Sequence, residues 1–293
     1  MAVRYKVTHL TRYAYGEQVP GSRHLAHLAP RATSWQQVHD YRLRISPQPA
    51  EQRMGSDWFG NDCAWFAFSG PHDHLEVEAS SEVMVASQLV AWRSAGACDE
   101  TPTERSPLDV EYRLASPSVP LLPEAAAFAR PSFQAGRPLA DALEDLAMRT
   151  QREFTYDPDA TSTSSLLVDL LRSRRGVCQD FAHFLLSGLR GLGITARYMS
   201  GYVAPLADGA AQTGAAASHA WVAVRAPDGS WIGCDPTNGK LADDEFVTLA
   251  WGRDFSDVTP LRGVIMARGS HQLQVAVTVD RQPVQTSIAG REG

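Results

Sequence analysis

The sequence predicts an α+β protein whose N-terminal third is almost entirely strand. Three observations lead there. Before about position 100, apolar and polar residues alternate or β-branched and aromatic types concentrate, the period-2 signature of strands. From Leu121 apolar residues recur at helical spacing. After Gly193 the strand texture returns, so helices are followed by strands rather than interleaved with them.

The elements follow in order. "YKVTHLTRYAY", "HDYRLRIS", "CAWFAFSG" and "HLEVEASSEVMV" read as strands, separated by the turn clusters "SPQPAEQ", "DWFGND" and "SGPHD". Short strands with frequent turns suggest a β-sandwich or small barrel. The Pro- and Ser-containing stretch "CDETPTERSPLDVEYRLASPSVP" then changes the texture, which places a boundary near residues 100–118. The expected division is a β-rich domain over 1–110 and a catalytic core with C-terminal strands over 119–293. In the core, "LPEAAAFARPSF" and "PLADALEDLAMRTQREF" carry helical spacing. "SSLLVDLLRSRRG" is a further short helix, with Ser164 or Ser165 as N-cap and Gly176 past its end. Phe181, Ala182, Leu185, Leu189 and Leu192 share one face of the next helix, which Gly193 ends. "TARYMSGYVAP", "HAWVAVRAP", "GSWIGCDP" and "HQLQVAVTVD" are strands, and "ADGAAQTGAAAS" (207–218) is a small-residue loop.

Composition narrows the function. The 293 residues are 44 % hydrophobic and 20 % charged, enough apolar material for a packed core. A net charge of −6 disfavours nucleic acid as a partner, because phosphate binding needs clustered Lys and Arg. The run Arg172 to Arg175 reads as a solvated helix end. No apolar run is long enough to cross a bilayer, and the N-terminus lacks the apolar core of a secretory signal. The expectation is a soluble cytoplasmic protein; self-association as a homo-oligomer is compatible with the sequence. Cys63, Cys98, Cys178 and Cys234 are scattered and form no CxxC pair, which suggests neither a zinc site nor a disulfide framework.

Cys178 falls in the first turn of its helix, where aligned peptide dipoles favour thiolate over thiol. On local pattern alone the reading as a small buried hydrophobe is the favoured one. A second pattern adds weight to the first reading. "SHAWVAVRAPDGSWIGCDPTNG" is a hairpin around "PDG", and antiparallel pairing places the residue opposite His219 between positions 235 and 238. Asp235 sits at the near edge of that window. A carboxylate within reach of an imidazole fixes its tautomer and leaves the other nitrogen to exchange a proton with a thiol.

"GVCQDFAHFLLSGLRGLGITARYMSGY", "HAWVAV" and "CDPTNG", in this order, resemble the transglutaminase-like superfamily of papain-like fold. The likeness extends from "FTYDP" at Phe154 to Gly239. The N-terminal segments "YKVTHLTRYAYGEQVPGSRHLAHLAPR" and "DWFGNDCAWFAFSGPHDHLEVEASSEV", and the tail "GRDFSDVTPLRGVIMARGSHQLQVAVTV", resemble a bacterial subgroup with a β-rich domain ahead of the core. The resemblance implies a catalytic triad: Cys178 as nucleophile, His219 as general base and acid, Asp235 as its orienting residue. It implies acyl transfer through a Cys-thioester on a peptide or protein amide, with no cofactor and no catalytic metal. Three functions fit: a cysteine peptidase or amidase acting by hydrolysis, a protein-glutamine γ-glutamyltransferase passing the acyl group to an amine, and a non-catalytic scaffold. The Cys178 N–H is the natural first oxyanion donor. For the second, the family often uses an aromatic side chain upstream of the cysteine, a tryptophan in animal transglutaminases. No tryptophan lies between Trp92 and Trp221. Tyr156 occupies the matching position, although a tyrosine packed in the core is the plain alternative.

Other candidates have simpler readings. Asp180 suits a helix N-terminus. "YDPDATSTS" lacks the ligand set of a calcium loop and reads as a turn. His183 lies within the amphipathic helix. His24 and His27 read as polar edge groups rather than a metal pair. "GRDFSDVTP" (252–260) is placed near the active site, where its acids would face substrate.

Overall fold

The computed structural model describes residues 2–100, 106–160, 167–206, 211–215, 217–266 and 270–283. The first six strands are β1 (Ala2–Val19), β2 (Ser22–Ala26), β3 (Gln36–Ser46), β4 (Glu51–Ser56), β5 (Asp62–Phe68) and β6 (His72–Ala86). Two short helices follow, α1 (Leu89–Trp92) and α2 (Pro107–Glu111). The helical part comprises α3 (Pro123–Ala129), α4 (Leu139–Glu153), α5 (Leu167–Ser173) and α6 (Cys178–Gly191), with two-residue strands β7 (Thr155–Tyr156) and β8 (Arg175–Gly176) flanking α5. Then come β9 (Ala196–Val203), β10 (His219–Arg225), β11 (Trp231–Asp235), β12 (Lys240–Leu241) and β13 (Phe246–Gly252). The short helix α7 (Phe255–Val258) leads to β14 (Leu261–Ile265) and β15 (His271–Gln282).

The protein is α+β, as the sequence predicts. Two four-stranded antiparallel sheets, ordered β15-β1-β6-β3 and β14-β2-β5-β4, form the β-rich region. They pack through Phe66 and Phe68 on one side and Leu75, Val77 and Ala79 on the other. The alternation in β6 sends Leu75, Val77, Val83 and Val85 inward, each fully buried. A third, five-stranded antiparallel sheet has the order β12-β11-β10-β9-β13.

The predicted grouping of the C-terminal strands with the catalytic core requires correction. β15 pairs with β1 from Arg4↔Gln282 to Tyr15↔His271, and β14 pairs with β2. The C-terminus thus completes both sheets of the β-rich region. Strand texture alone does not name a partner more than 250 residues away, and the free edge of β1 supplied one. The core is also continuous: Val3, Tyr5, Val7, Val83 and Val85 join one cluster with α4, α6 and the five-stranded sheet.

Helix α6 is buried on nearly every side, from Asp180 to Arg190. It is the central rod of the core, packed against α3 and against β9 and β10. It ends as predicted: Leu192 is the C-cap and Gly193 takes φ +80°. The proposed N-caps Ser164 and Ser165 lie outside the described residues, as do residues 207–210 and 216 of the small-residue loop. No helix among the described residues is long and apolar enough to cross a membrane.

Candidate active site

Val177 is the extended N-cap of α6 (φ −111°, ψ 177°), so Cys178 is the first helical residue. Its N–H belongs to the first turn, which has no acceptors within the helix, and its thiol stands at the positive end of the dipole. The Val177 N–H donates to Asp180 Oδ2 at 2.9 Å, so Asp180 fastens the helix start. The left-handed residue after α5 is Arg174 (φ 56°) rather than Gly176. Gly176 is needed for a different reason. A Cβ there would sit 2.8 Å from Asp180 Oδ2 and 2.9 Å from Leu170 Cδ1.

β8 pairs in parallel with β7, which sets Tyr156 opposite Gly176, two residues before the cysteine. Tyr156 is 36 % exposed. Burial, and then the charge of Cys178, push its phenol pKa up. The two groups are therefore within electrostatic reach. Among the four cysteines, Cys178 and Cys98 are partly exposed, whereas Cys63 and Cys234 are buried.

The hairpin of β10 and β11 has the register Val222↔Cys234, which sets Asp235 opposite Trp221 and on the same face as His219. His219 Nε2 and Asp235 Oδ2 lie 2.9 Å apart, and both side chains are wholly buried. Burial alone would lower the His219 pKa; the charge and hydrogen bond of Asp235, with Cys178 beside them, outweigh it and push it up to about 10. Burial alone would raise Asp235. His219, the Asn238 amide and the Thr237 N–H hold its carboxyl below the ordinary value. With Nε2 held by Asp235, the remaining nitrogen is Nδ1, buried and without a hydrogen-bond partner among the described residues. It is the nitrogen free for the thiol.

Sequence reasoning missed two supports of this pair. Asn238 Nδ2 donates to Asp235 Oδ2 at 2.7 Å, and its Oδ1 accepts the Thr213 N–H at 3.1 Å. Gly214 (φ +88°) lies against the imidazole: a Cβ there would fall inside 3.0 Å of Nδ1 and 3.1 Å from Cε1. An Asx-type turn in "DPTNG", with the Thr237 N–H on Asp235 Oδ1 at 2.9 Å, was the available signal for the first.

The remaining candidates settle into the frame. His183 Nε2 accepts the Phe255 N–H at 3.2 Å, and burial lowers its pKa to about 4, so it stays neutral. Asp254 accepts from Ser118 and Ser256 N–H groups and Asp257 pairs with Arg253, so both acids of "GRDFSDVTP" hold structure. Asp157 pairs with Arg175 and accepts the Asp159 N–H, as a turn residue does. His24 meets the Ser22 hydroxyl and stacks on Phe66.

A helix-borne cysteine beside a histidine–aspartate pair on an antiparallel sheet is the architecture of the papain-like fold. The chain belongs to the transglutaminase-like superfamily: the family model of that superfamily matches residues 126–236, a span that includes Cys178, His219 and Asp235. The bacterial transglutaminase-like N-terminal region matches residues 5–84. An uncharacterised protein of Mycobacterium tuberculosis is 34 % identical over 294 residues, covering 96 % of this chain and 93 % of its own. One of Mycobacterium leprae is 31 % identical over 292 residues, covering 95 % and 99 %. The solved structure of a Cytophaga hutchinsonii protein designated "putative cysteine protease" superposes with a TM-score of 0.76 at 18 % identity, covering 97 % of this chain and 92 % of that one. That likeness is one of fold.

Proposed function

We propose that the chain is a cysteine-dependent amide hydrolase acting on a peptide, isopeptide or carboxamide bond. The observation that carries this reading is the buried His219–Asp235 pair with Nδ1 left free, beside a partly exposed cysteine that opens a helix. The Cys178 thiolate attacks the carbonyl carbon; an S–C bond forms and the C=O pair moves onto oxygen. The oxyanion is met by the Cys178 N–H and the Tyr156 hydroxyl. Its collapse breaks the C–N bond, and the proton on His219 Nδ1 leaves with the amine. Water, deprotonated by His219, then cleaves the thioester and regenerates the thiol. Asp235 holds the ring and offsets the imidazolium charge.

The test begins with alkylation of Cys178 by iodoacetamide across pH, read by mass spectrometry in the wild type and in His219→Ala. Fast labelling below pH 8 that slows in the variant is the expected result. Labelling no faster than at Cys98, and insensitive to His219, overturns the mechanism. Carboxamide and peptide substrates are then screened with and without an added primary amine. Free acid in both arms supports hydrolysis, and amine incorporation replaces water with an amine as acceptor.

A further inference from the structure

A second cluster of reactive side chains lies in the β-rich region, apart from the triad. The antiparallel pairing of β2 with β5 aligns Ala26 with Ala64, which brings His27 next to Cys63 at the sheet end. The pairing of β4 with β5 ends at Ser56↔Asp62, so Asp57 turns over the same end. The ligand atoms of His27, Asp57 and Cys63 all lie within 4.8 Å of one another.

The histidine is set as a ligand would be. His27 is only 2 % exposed, and its Nδ1 lies 3.1 Å from the Thr259 carbonyl, an acceptor that fixes the proton on Nδ1. The lone pair therefore sits on Nε2, which is buried and has no hydrogen-bond partner among the described residues. Nε2 and Asp57 Oδ2 are 3.4 Å apart. Two donors each about 2.0–2.1 Å from one tetrahedral ion stand about 3.4 Å apart, so the spacing is that of an edge of a coordination tetrahedron. A backbone carbonyl on the far ring nitrogen is the usual outer support of a metal-bound histidine. Asp57 is held in place as well: its Oδ1 accepts the N–H groups of Phe59 and Asn61. The Cys63 thiol is buried and donates to the Asn61 carbonyl at 3.3 Å, a bond that metal binding would replace. Arg31, a cation close by, is engaged with the Asn61 side chain at 2.6 Å and the Phe59 carbonyl, and Arg262 donates to the Ser256 carbonyl at 2.8 Å.

We infer that His27 Nε2, Asp57 Oδ2 and Cys63 Sγ form a three-ligand site for a zinc-class divalent ion, with water as the fourth ligand. One imidazole, one carboxylate and one thiolate are a donor set for such an ion. On binding, the Cys63 S–H bond breaks, its proton passes to solvent, and a sulfur–metal bond forms without redox change. Through Thr259 the ion would tie the end of the β-rich sheet to the segment between α7 and β14.

The test uses the full chain carrying Cys178→Ala, so that the triad contributes no thiol. The protein is stripped with a chelator and titrated with Co2+. One Co2+ per chain is expected, with a thiolate-to-cobalt band in the near ultraviolet and the strong visible bands of a tetrahedral site. Both are expected to vanish on Zn2+ addition and in Cys63→Ser and His27→Gln. Absence of stoichiometric binding, a spectrum without the sulfur band, or a sulfur band that survives Cys63→Ser overturns the site. Should the variants fail to fold, zinc-edge absorption of the Cys178→Ala protein decides. One sulfur with light-atom ligands supports the site, and a sulfur-free shell refutes it.

Discussion

Gly214 offers a test of how closely the histidine is held. It takes φ +88°, where an L side chain is strained by about 1–2 kcal/mol, and the space for its Cβ is taken by the His219 ring. In Gly214→Ala the methyl would fall inside 3.0 Å of Nδ1, while ordinary contact begins near 3.4 Å. Ring and loop must therefore separate by about 1 Å. A misplacement of 1 Å costs about 10²-fold in rate, so a ring that takes half of that separation predicts about a tenfold loss. Nδ1 faces the thiol in the proposed mechanism, and Cys178 alkylation at neutral pH should slow by that factor.

The strain and the contact are separable. Gly136 also has positive φ (+73°) but nothing lies within 4 Å of where its Cβ would be. Gly136→Ala should therefore lower Tm by about 2 °C or more and leave Cys178 labelling unchanged. Gly214→Ala should lower Tm at least as much and also slow labelling. Labelling at the wild-type rate in Gly214→Ala would refute the reasoning, because it would mean that the loop does not set the imidazole.

Cys178→Ala should abolish turnover and keep Tm within about 2 °C, since one small side chain is truncated at a partly exposed helix start; retained turnover on any substrate would exclude the thiol as nucleophile. Asp235→Asn should reduce turnover by up to about 10⁴-fold, less completely than Cys178→Ala. It should also flatten Tm against pH. The His219 pKa is raised to about 10, so its contribution is full below about 6.5 and lost as pH rises through 10. The wild type should therefore lose more Tm between pH 7 and 10 than the variant. Deleting residues 270–293 removes β15 and bares the edge of β1 from Arg4 to Tyr15; size-exclusion chromatography should show aggregation, and a monodisperse product would contradict the edge argument.

What the sequence revealed depended on how local the cause was. The hairpin register was legible because a tight turn fixes it: the window of 235 to 238 opposite His219 contains the observed alignment, which puts position 237 there. Helix α6 was legible because its large apolar residues, Phe181, Leu185, Leu189 and Leu192, repeat at helical spacing. β4 was not, since all six of its residues are exposed and no alternation marks it. β14 and β15 belong to the β-rich region only through partners at the other end of the chain. His27 reads as an edge group in sequence because its neighbours, Asp57 after β4 and Cys63 in β5, lie 30 or more positions away.

Long-range contacts also tie the β-rich region to the five-stranded sheet. β13 is the outer strand of the five-stranded sheet, next to the β9 strand that carries β10 and His219. An outer strand presents unpaired N–H and C=O groups. Here two side-chain amides answer them. Gln36 donates from Nε2 to the Thr248 carbonyl and accepts the Thr248 N–H on Oε1, both at 2.8 Å. Asn61 does the same for Trp251, at 2.8 and 2.9 Å. Each carboxamide supplies one donor and one acceptor to a single residue, as an adjacent strand would. Gln36 begins β3 and Asn61 precedes β5, so the sheet bearing the histidine is closed along this edge by residues from the first third of the chain. The sheet that bears His219 and the β-rich region are therefore joined by a shared core and by these amides.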